Sequence, residues 1–274
     1  MPYASYLYAA TAIIFLCEIL AGRHRNIYSR ADWWVTLGCI STSLAVTRPL
    51  AALLIAWVIG LALPAWRGIL AGTDPILAFI AVFFATEFAF YWVHRWAHEA
   101  QGKRHSWLWK LHRTHHSGKY MNVTVTLRVN PFWSFVVSTP WVLAVATYLG
   151  LGQAAGYTIL IIYGWNLITH AHFRWDDAIR RHRTLGPGFR ALEHILVSPG
   201  MHHSHHGYGK DGGNFRNYAV TLALWDWMFG TLYIPDGRPW KYGVPGPNPP
   251  WSEEVLFPLV GSGRARVSAE GDAG

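Results

Sequence analysis

Charge is scarce in this sequence. Asp, Glu, Lys and Arg make up only 14% of its 274 residues, against about a quarter in a soluble domain, so an ordinary water-soluble globule is disfavoured. Cysteine is scarcer: there are two, Cys17 and Cys39, in or beside apolar stretches and without C-x-x-C spacing. Neither a disulfide framework nor a thiolate metal site is indicated. No G-x-G-x-x-G fingerprint marks a nucleotide site, no nucleic-acid module accompanies the basic residues, and no internal repeat stands out. The zinc-hydrolase pattern H-E-x-x-H is missing as well, because Arg95 follows His94.

Apolar residues fill the space that charge leaves. They reach 52%, with 16 Trp and 13 Tyr, the residues that settle at membrane–water interfaces. The formal charge is +8, and 14 of the 23 basic residues lie in two segments, Arg95 to Arg128 and Arg174 to Arg216. Beside apolar runs such an excess marks the cytoplasmic side.

Five apolar runs are long enough to consider as spans. Tyr3 to Leu20 carries one acid, Glu18, and has neither a basic leader nor a small-residue cleavage site, so it reads as a span and not a signal peptide. The basic loop from Arg23 to Arg30 follows. Pro49 to Trp66 makes the second span, since proline starts helices well, with residues 34 to 47 along the interface. Pro75 to about His98 is the third, opened by Asp74-Pro75. Pro131 to Leu149 and Ala154 to about His170 are the fourth and fifth, joined at Gly150-Leu-Gly-Gln153. A re-entrant hairpin with fewer true spans would give the same pattern. The expected fold is all-α: an integral-membrane bundle of four to five spans whose cytoplasmic helical cap carries the histidines. Residues 1–74 form the N-terminal membrane helices, 75–233 the catalytic region and 234–274 a Pro/Gly-rich tail, disordered from about Gly261.

Eleven of the 15 histidines fall in four clusters: His94 and His98; His112, His115 and His116; His170 and His172; His202, His203, His205 and His206. Positions three and four apart share a helix face. Each of the pair His94/His98, the run His112/His115/His116 and the run His202/His205/His206 is therefore expected to reach one metal ion. So many buried imidazoles without metal would be costly to desolvate, and eight to ten nitrogens are too many for one ion, so two ions is the natural count. Imidazole suits zinc, copper, iron and nickel alike. Asn166 and His170 sit four apart near the end of the fifth span, which makes His170 a ninth ligand and Asn166 a residue to hold a bound water. His172 lies off that face. Glu87, Tyr91, His94 and His98 share one stripe; a carboxylate inside a span is expensive unless partnered, so Glu87 is expected to accept an imidazole N–H. His24, His105, His182, His194 and His203 have no such spacing and are expected outside the site.

These histidine boxes resemble those of the fatty acid hydroxylase/sterol desaturase superfamily: His94-x-x-x-His98, His112-x-x-His115-His116 and His202-x-x-His205-His206, in that order. The flanking Tyr91-Trp-Val-His, Leu108-Trp-Lys-Leu-His, Asn217-Tyr-Ala and Trp225-Asp-Trp-Met-Phe-Gly agree, over about residues 75 to 233. Ala219, where glycine is common, and Asn130-Pro131, where His-Pro is common, depart from the pattern. The resemblance implies a membrane di-iron enzyme that uses O2 to hydroxylate or desaturate a sterol, fatty acyl chain, ether lipid or carotenoid. It implies electrons from an external protein, cytochrome b5-like or a ferredoxin with its reductase, and a bacterial inner membrane or endoplasmic reticulum setting. Two other classes stay open on the residues alone: a membrane metal-binding or transport protein without redox catalysis, and a zinc-dependent lipid hydrolase.

Overall fold

Almost every regular element is a helix. The structure, a computed structural model, describes residues 3–213 and 215–261. Its α-helices are α1 (Tyr3–Leu20), α2 (Arg30–Thr42), α3 (Arg48–Ala62), α4 (Pro75–Glu99), α5 (Trp107–His116), α6 (Ser138–Tyr148), α7 (Gly152–His170), α8 (Trp175–Arg181), α9 (Leu185–Leu192), α10 (Pro199–His205), α11 (Leu224–Met228) and α12 (Trp251–Leu256). Among the described residues the strands amount to one antiparallel ladder, Gly207–Tyr208 with Lys241–Tyr242. The all-helical expectation holds.

Helix α4 is the axis of the molecule. The Asp74 carboxylate accepts from the N–H groups of Ile76 and Leu77, both at 3.0 Å, and Pro75 has no N–H to leave unsatisfied in the first turn. From there 25 residues run to Glu99. Helices α6 and α7 pack on it through Ala78, Val82, Ala146, Ala154 and Ala155, small side chains that let backbones approach closely. Among the described residues two helices are long and apolar enough to cross a membrane: Pro75–Glu99 and the continuous helix Arg30–Ala62.

That second helix differs from expectation. Residues 34 to 47 do not lie apart from the Pro49 segment; α2 passes into α3 through a π turn, Ser43–Thr47. Proline inside an α-helix lacks a donor and clashes with the carbonyl four residues back, and the wider turn ends where Pro49 enters, so its missing N–H falls at the seam. The 33-residue helix is about 50 Å long, longer than a bilayer core of about 30 Å. Its start packs against α12, with Val35 and Cys39 on Val255.

Helix α6 also begins later than expected. Residues Pro131–Phe135 form a 3-10 turn, and the α-helix starts at Ser138. The α6–α7 turn hydrogen-bonds the loop before α4, Gly68 N–H to Tyr148 O at 2.9 Å and Leu70 N–H to Leu149 O at 2.8 Å. The hairpin thus runs the same depth as α4. Gly150 adopts φ +103°, and a Cβ there would meet the Ala71 backbone at 2.8 Å, so only glycine fits the turn.

The tail expected from residue 234 is folded back onto the body as far as residue 261. Lys241 and Tyr242 extend the short ladder, and Glu254 of α12 meets Arg128 at 3.1 Å. The buried charges explain this: Arg128, 1% exposed, lies between Asp32 and Glu254, so the three segments cannot part without stranding an ion. The rest of the region expected to be disordered, residues 262–274, lies outside the described residues.

Candidate metal centre

Four stretches of chain deliver histidines to one end of the α4–α7 bundle. Helix α4 brings His94 and His98, α5 brings His112, His115 and His116, the last residue of α7 is His170, and α10 with its C-cap brings His202, His205 and His206. Nine of these rings form two adjoining groups. One holds His94, His98, His112, His116 and His205; the other holds His115, His170, His202 and His206. Within each group the ligand nitrogens all lie within 4.8 Å of one another. The groups touch, with the rings of His116 and His206 stacked at 4.2 Å.

Each H-x-x-H-H run was expected to serve one ion, and the structure divides each between the groups. His112 and His116 go to the first group and His115 to the second; His202 and His206 go to the second and His205 to the first. The helix explains it. At 3.6 residues per turn a side chain four positions on lies about 40° to one side and one three positions on about 60° to the other. The run therefore straddles both groups.

Close contacts join the Nε2 atoms. His94 and His116 each approach His112, at 2.9 and 3.0 Å. His170 lies 3.2 Å from His115 and 3.0 Å from His202, which is 3.1 Å from His206. Hydrogen bonds at the far side of four rings fix their tautomers. Nδ1–H of His94 donates to Tyr218 O at 2.6 Å, that of His115 to Val125 O at 3.1 Å, that of His170 to Asn166 O at 2.8 Å and that of His205 to Arg216 O at 2.8 Å. The Nε2 lone pairs of His115 and His170 thus face each other, an arrangement that repels unless a positive charge lies between them. His205 Nε2 is buried with no hydrogen-bond partner. On His112, His116 and His202 it is Nδ1 that is buried without one.

The donor set fits a pair of cations. With a metal–imidazole bond of about 2.1 Å, ligands at right angles stand about 3.0 Å apart and tetrahedral ones about 3.4 Å; the contacts here are 2.9 to 3.2 Å. Five donors in one group also exceed the four of a closed structural zinc site. Burial holds the rings neutral, the form that ligates: it pushes the imidazoles of His112, His116, His202 and His206 well below their usual range, His115 down to about 4 and His205 down to about 3.

Glu87 does not take the part expected of it. Its buried carboxylate accepts from the main-chain N–H groups of Thr221 and Leu222, at 3.0 and 2.9 Å, not from an imidazole. Main-chain carbonyls fill that role. Asn166 likewise contributes its carbonyl, to His170, while its amide makes no hydrogen bond to the rings. His172 lies outside both groups and donates its main-chain N–H to Glu18 at 2.7 Å. His203 is buried against Tyr242 and Ala171, His24 pairs with Glu18, and His105 and His182 are exposed.

Several supporting residues carried no signal that spacing could expose. Asp226 accepts from Tyr218 and Ala219 N–H at 2.8 and 2.9 Å, holding the strip whose carbonyl orients His94. Asp176 accepts from Gly200 N–H at 2.7 Å in the first turn of α10 and pairs with Arg238. Glu18, noted only as an acid in an apolar run, accepts from Val123 and His172 N–H and so anchors the turn whose Val125 carbonyl orients His115. An (i, i+4) pair on α8, Asp176 with Arg180, is the one part of this framework that pattern reading had within reach.

Beside the first group, the outer face of α4 and the start of α6 frame an apolar groove of about 440 Å³, lined by Phe88, Ala89, Trp92, Val93, Trp96 and Ser138. Val93, which lines it, packs against the cluster that contains Trp133, whose ring is 5.0 Å from that of His112.

Comparison with known proteins agrees with this arrangement. The alkylglycerol monooxygenase of Xenopus tropicalis is 30% identical over 171 residues, covering 60% of this chain and 32% of that protein. The very-long-chain aldehyde decarbonylase GL1-6 of Oryza sativa subsp. japonica is 28% identical over 152 residues, 53% of this chain and 21% of that protein. The ornithine lipid hydroxylase OlsE of Rhizobium tropici is 29% identical over 160 residues, 54% of this chain and 40% of that protein. The alignments thus span about a third of the length of the alkylglycerol monooxygenases. No solved structure matches. The sequence profile described as fatty acid hydroxylase matches residues 79–231, the stretch from the second turn of α4 past α11 that holds all nine clustered histidines, and the chain belongs to that family.

Proposed function

We propose that this protein is a membrane oxidoreductase that uses O2 to oxidise a C–H bond of a lipid at a pair of iron ions. The observation that carries the reading is the facing of imidazole lone pairs in two adjoining buried groups, as at His115 and His170. Such an arrangement calls for cations, and two adjoining sites suit a reaction that takes more than one electron. His94, His98, His112, His116 and His205 would hold one ion, and His115, His170, His202 and His206 the other. When bound, such a pair supplies the reduction of O2 and the removal of hydrogen from carbon.

The protein's own part is position and exclusion. Carbonyls of Tyr218, Val125, Asn166 and Arg216 fix four rings, and Glu87 acts indirectly by holding the strip that carries Tyr218. Asn166 sits one turn before His170, where its amide would meet a bound water. The groove along α4 offers an apolar wall to an alkyl chain, and the relatives are named for an alkylglycerol, a very-long-chain aldehyde and an ornithine lipid. We take the substrate to be a lipid with an alkyl chain and a polar head. Electrons would come from a separate protein, of the cytochrome b5 or ferredoxin kind.

In the membrane, α1, the helix from α2 to α3, α4, the stretch from Pro131 through α6, and α7 make five passes, residues 1–74 serving as scaffold and 75–233 as the catalytic region. The basic loop from Arg23 to Arg30 is tied to the histidine end through Tyr28 and Thr124, so the basic segments share one side, which the charge rule assigns to the cytoplasm.

The test is to load the purified protein with iron in lipid nanodiscs and to compare lipids from cells with and without the gene, grown under isotopically labelled oxygen. One or more lipids carrying the label only when the gene is present would support the reading. Metal uptake into vesicles with no oxygen consumed would favour a metal handler. A product formed without oxygen would favour a hydrolase.

A further inference from the structure

A patch of large apolar residues lies on the cap, away from both histidine groups. Leu185, Phe189 and Leu192 share one face of α9, with the Phe189 ring 5.9 Å from that of Trp175. Ile195 follows, and Trp227 and Met228 project from α11; apart from Phe189, these side chains are 43 to 60% exposed. They form one surface. The Leu224 N–H donates to Ile195 O, and the rings of His194 and Trp227 are 5.4 Å apart.

Two observations indicate what covers it. The first is continuity with the membrane face of α4. Trp225, on the inner side of α11, packs on Phe88 at 5.1 Å and Phe84 at 6.1 Å, and Phe229 packs on Phe88 and Trp92. Phe84 lies in the middle of α4, so α11 sits against the apolar length of a candidate spanning helix and not beyond its end. The second is charge. Arg181 at the end of α8 and Arg183 in the loop before α9, both exposed, border the patch, while Arg190 of α9 pairs with Asp236 at 3.0 Å. Apolar side chains on one face with arginines at the rim are the composition of an element that lies in the boundary between headgroups and acyl chains, drawn to anionic lipid.

We propose that α9 and α11 form an in-plane membrane contact: Leu185, Leu192, Ile195, Trp227 and Met228 enter the acyl boundary of the leaflet while Arg181 and Arg183 bind anionic headgroups. This fixes the depth of the catalytic cap. The segment beneath the patch is the one that Glu87 grips at Thr221 and Leu222, and Val197 N–H bonds Thr221 O. The bilayer surface and the strip that orients His94 are therefore mechanically joined. The inference rests on α4 crossing the membrane and not on the chemistry of the metal centre.

The test uses the full chain in nanodiscs. Cys17, which is exposed, is replaced by Ser, and Cys39 is buried and does not label. A nitroxide is placed at Leu192→Cys or Trp227→Cys, with Lys103→Cys as an exposed reference. Collision with dissolved O2 should exceed collision with a water-soluble nickel chelate several-fold at 192 and 227, and the reverse should hold at 103. Nickel access at 192 and 227 equal to that at 103 overturns the proposal. Shielding from both reagents overturns it too, in favour of a protein partner or a second copy on this face. In a mixture of phosphatidylcholine and phosphatidylglycerol, Arg181→Gln with Arg183→Gln should lower co-purifying phosphatidylglycerol at least twofold; an unchanged ratio removes the headgroup part. Loss of lipid oxidation chemistry in the wild type would leave these collision ratios untouched, so the two readings fail separately.

Discussion

The carbonyl of Tyr218 accepts a hydrogen bond from Nδ1–H of His94 at 2.6 Å. The N–H of the same Tyr218 donates to Asp226 at 2.8 Å, and three residues on, Glu87 receives the N–H of Thr221. One short strip of chain, clamped by two buried carboxylates, thus sets the orientation of an imidazole in the five-histidine group. The chain invests two buried acids in the strip, and none in contact with the rings themselves.

Replacing Asp226 by Ala strands two main-chain N–H groups and lets Tyr218 move. Outer partners of ligating histidines are worth about 10- to 100-fold in metal affinity, and a loss of that size is expected for the first group. Titration of metal-free protein measures it. Asp226→Asn, which keeps an oxygen acceptor, should lose less. Wild-type affinity in the Ala variant would remove Asp226 from the support of the site.

The His115→Ala variant removes a ring from the four-histidine group and leaves the five-histidine group whole. Bound iron should fall from two ions per chain to about one, and turnover should cease. His203, buried but outside both groups, is the control: His203→Ala should keep its metal. Elemental analysis of the two purified variants decides the matter, and equal metal content would undo the grouping.

Metal-free protein should weaken in mild acid. His115 and His205 are held down to about 4 and about 3 by burial, whereas the unfolded chain takes protons near 6.5. Above that value neither state is protonated. Below it the unfolded state binds protons that the folded state refuses, so stability falls as pH falls, by up to about 1.4 kcal/mol per pH unit for each such histidine. Melting temperatures at about pH 7.5 and pH 5 report it: the lower pH should give the lower Tm, and bound metal should raise both.

Arg128→Leu should be among the most damaging changes outside the site. The guanidinium bonds Asp32 at 2.9 Å, Glu254 at 3.1 Å and Ser117 at 3.0 Å. Its loss leaves two carboxylates facing an apolar side chain. Removing one member of a buried ionic set costs about 3–5 kcal/mol, read as a drop in Tm in detergent. Adding Asp32→Asn and Glu254→Gln should recover part of it.

Much of the site was legible in the chain because its ligands are one rare residue type at helical spacing. His94 and His98, or His112 and His116, announce a shared face by their four-residue separation. The start of α4 was legible for a related reason: Asp74-Pro75 is local chemistry. Less legible was Pro49. Proline signals a helix start, and nothing local says that a π turn will carry an earlier helix into it. Glu87 misled because spacing places it on the histidine stripe, while its carboxylate turns to a strip more than 130 residues away.

By itself the sequence determined the apolar character, the helical class and the identity of the nine clustered histidines, since each depends on composition or on neighbours within a turn or two. Only the tertiary structure decided how those histidines divide, sending His115 and His205 each across to the other run's group, and which carbonyls orient them. Main-chain acceptors carry no residue-type signature, and a division between two centres depends on the angles at which separate helices meet. Pairwise spacing along the chain does not contain those angles; packing of α4, α5, α7 and α10 against one another creates them.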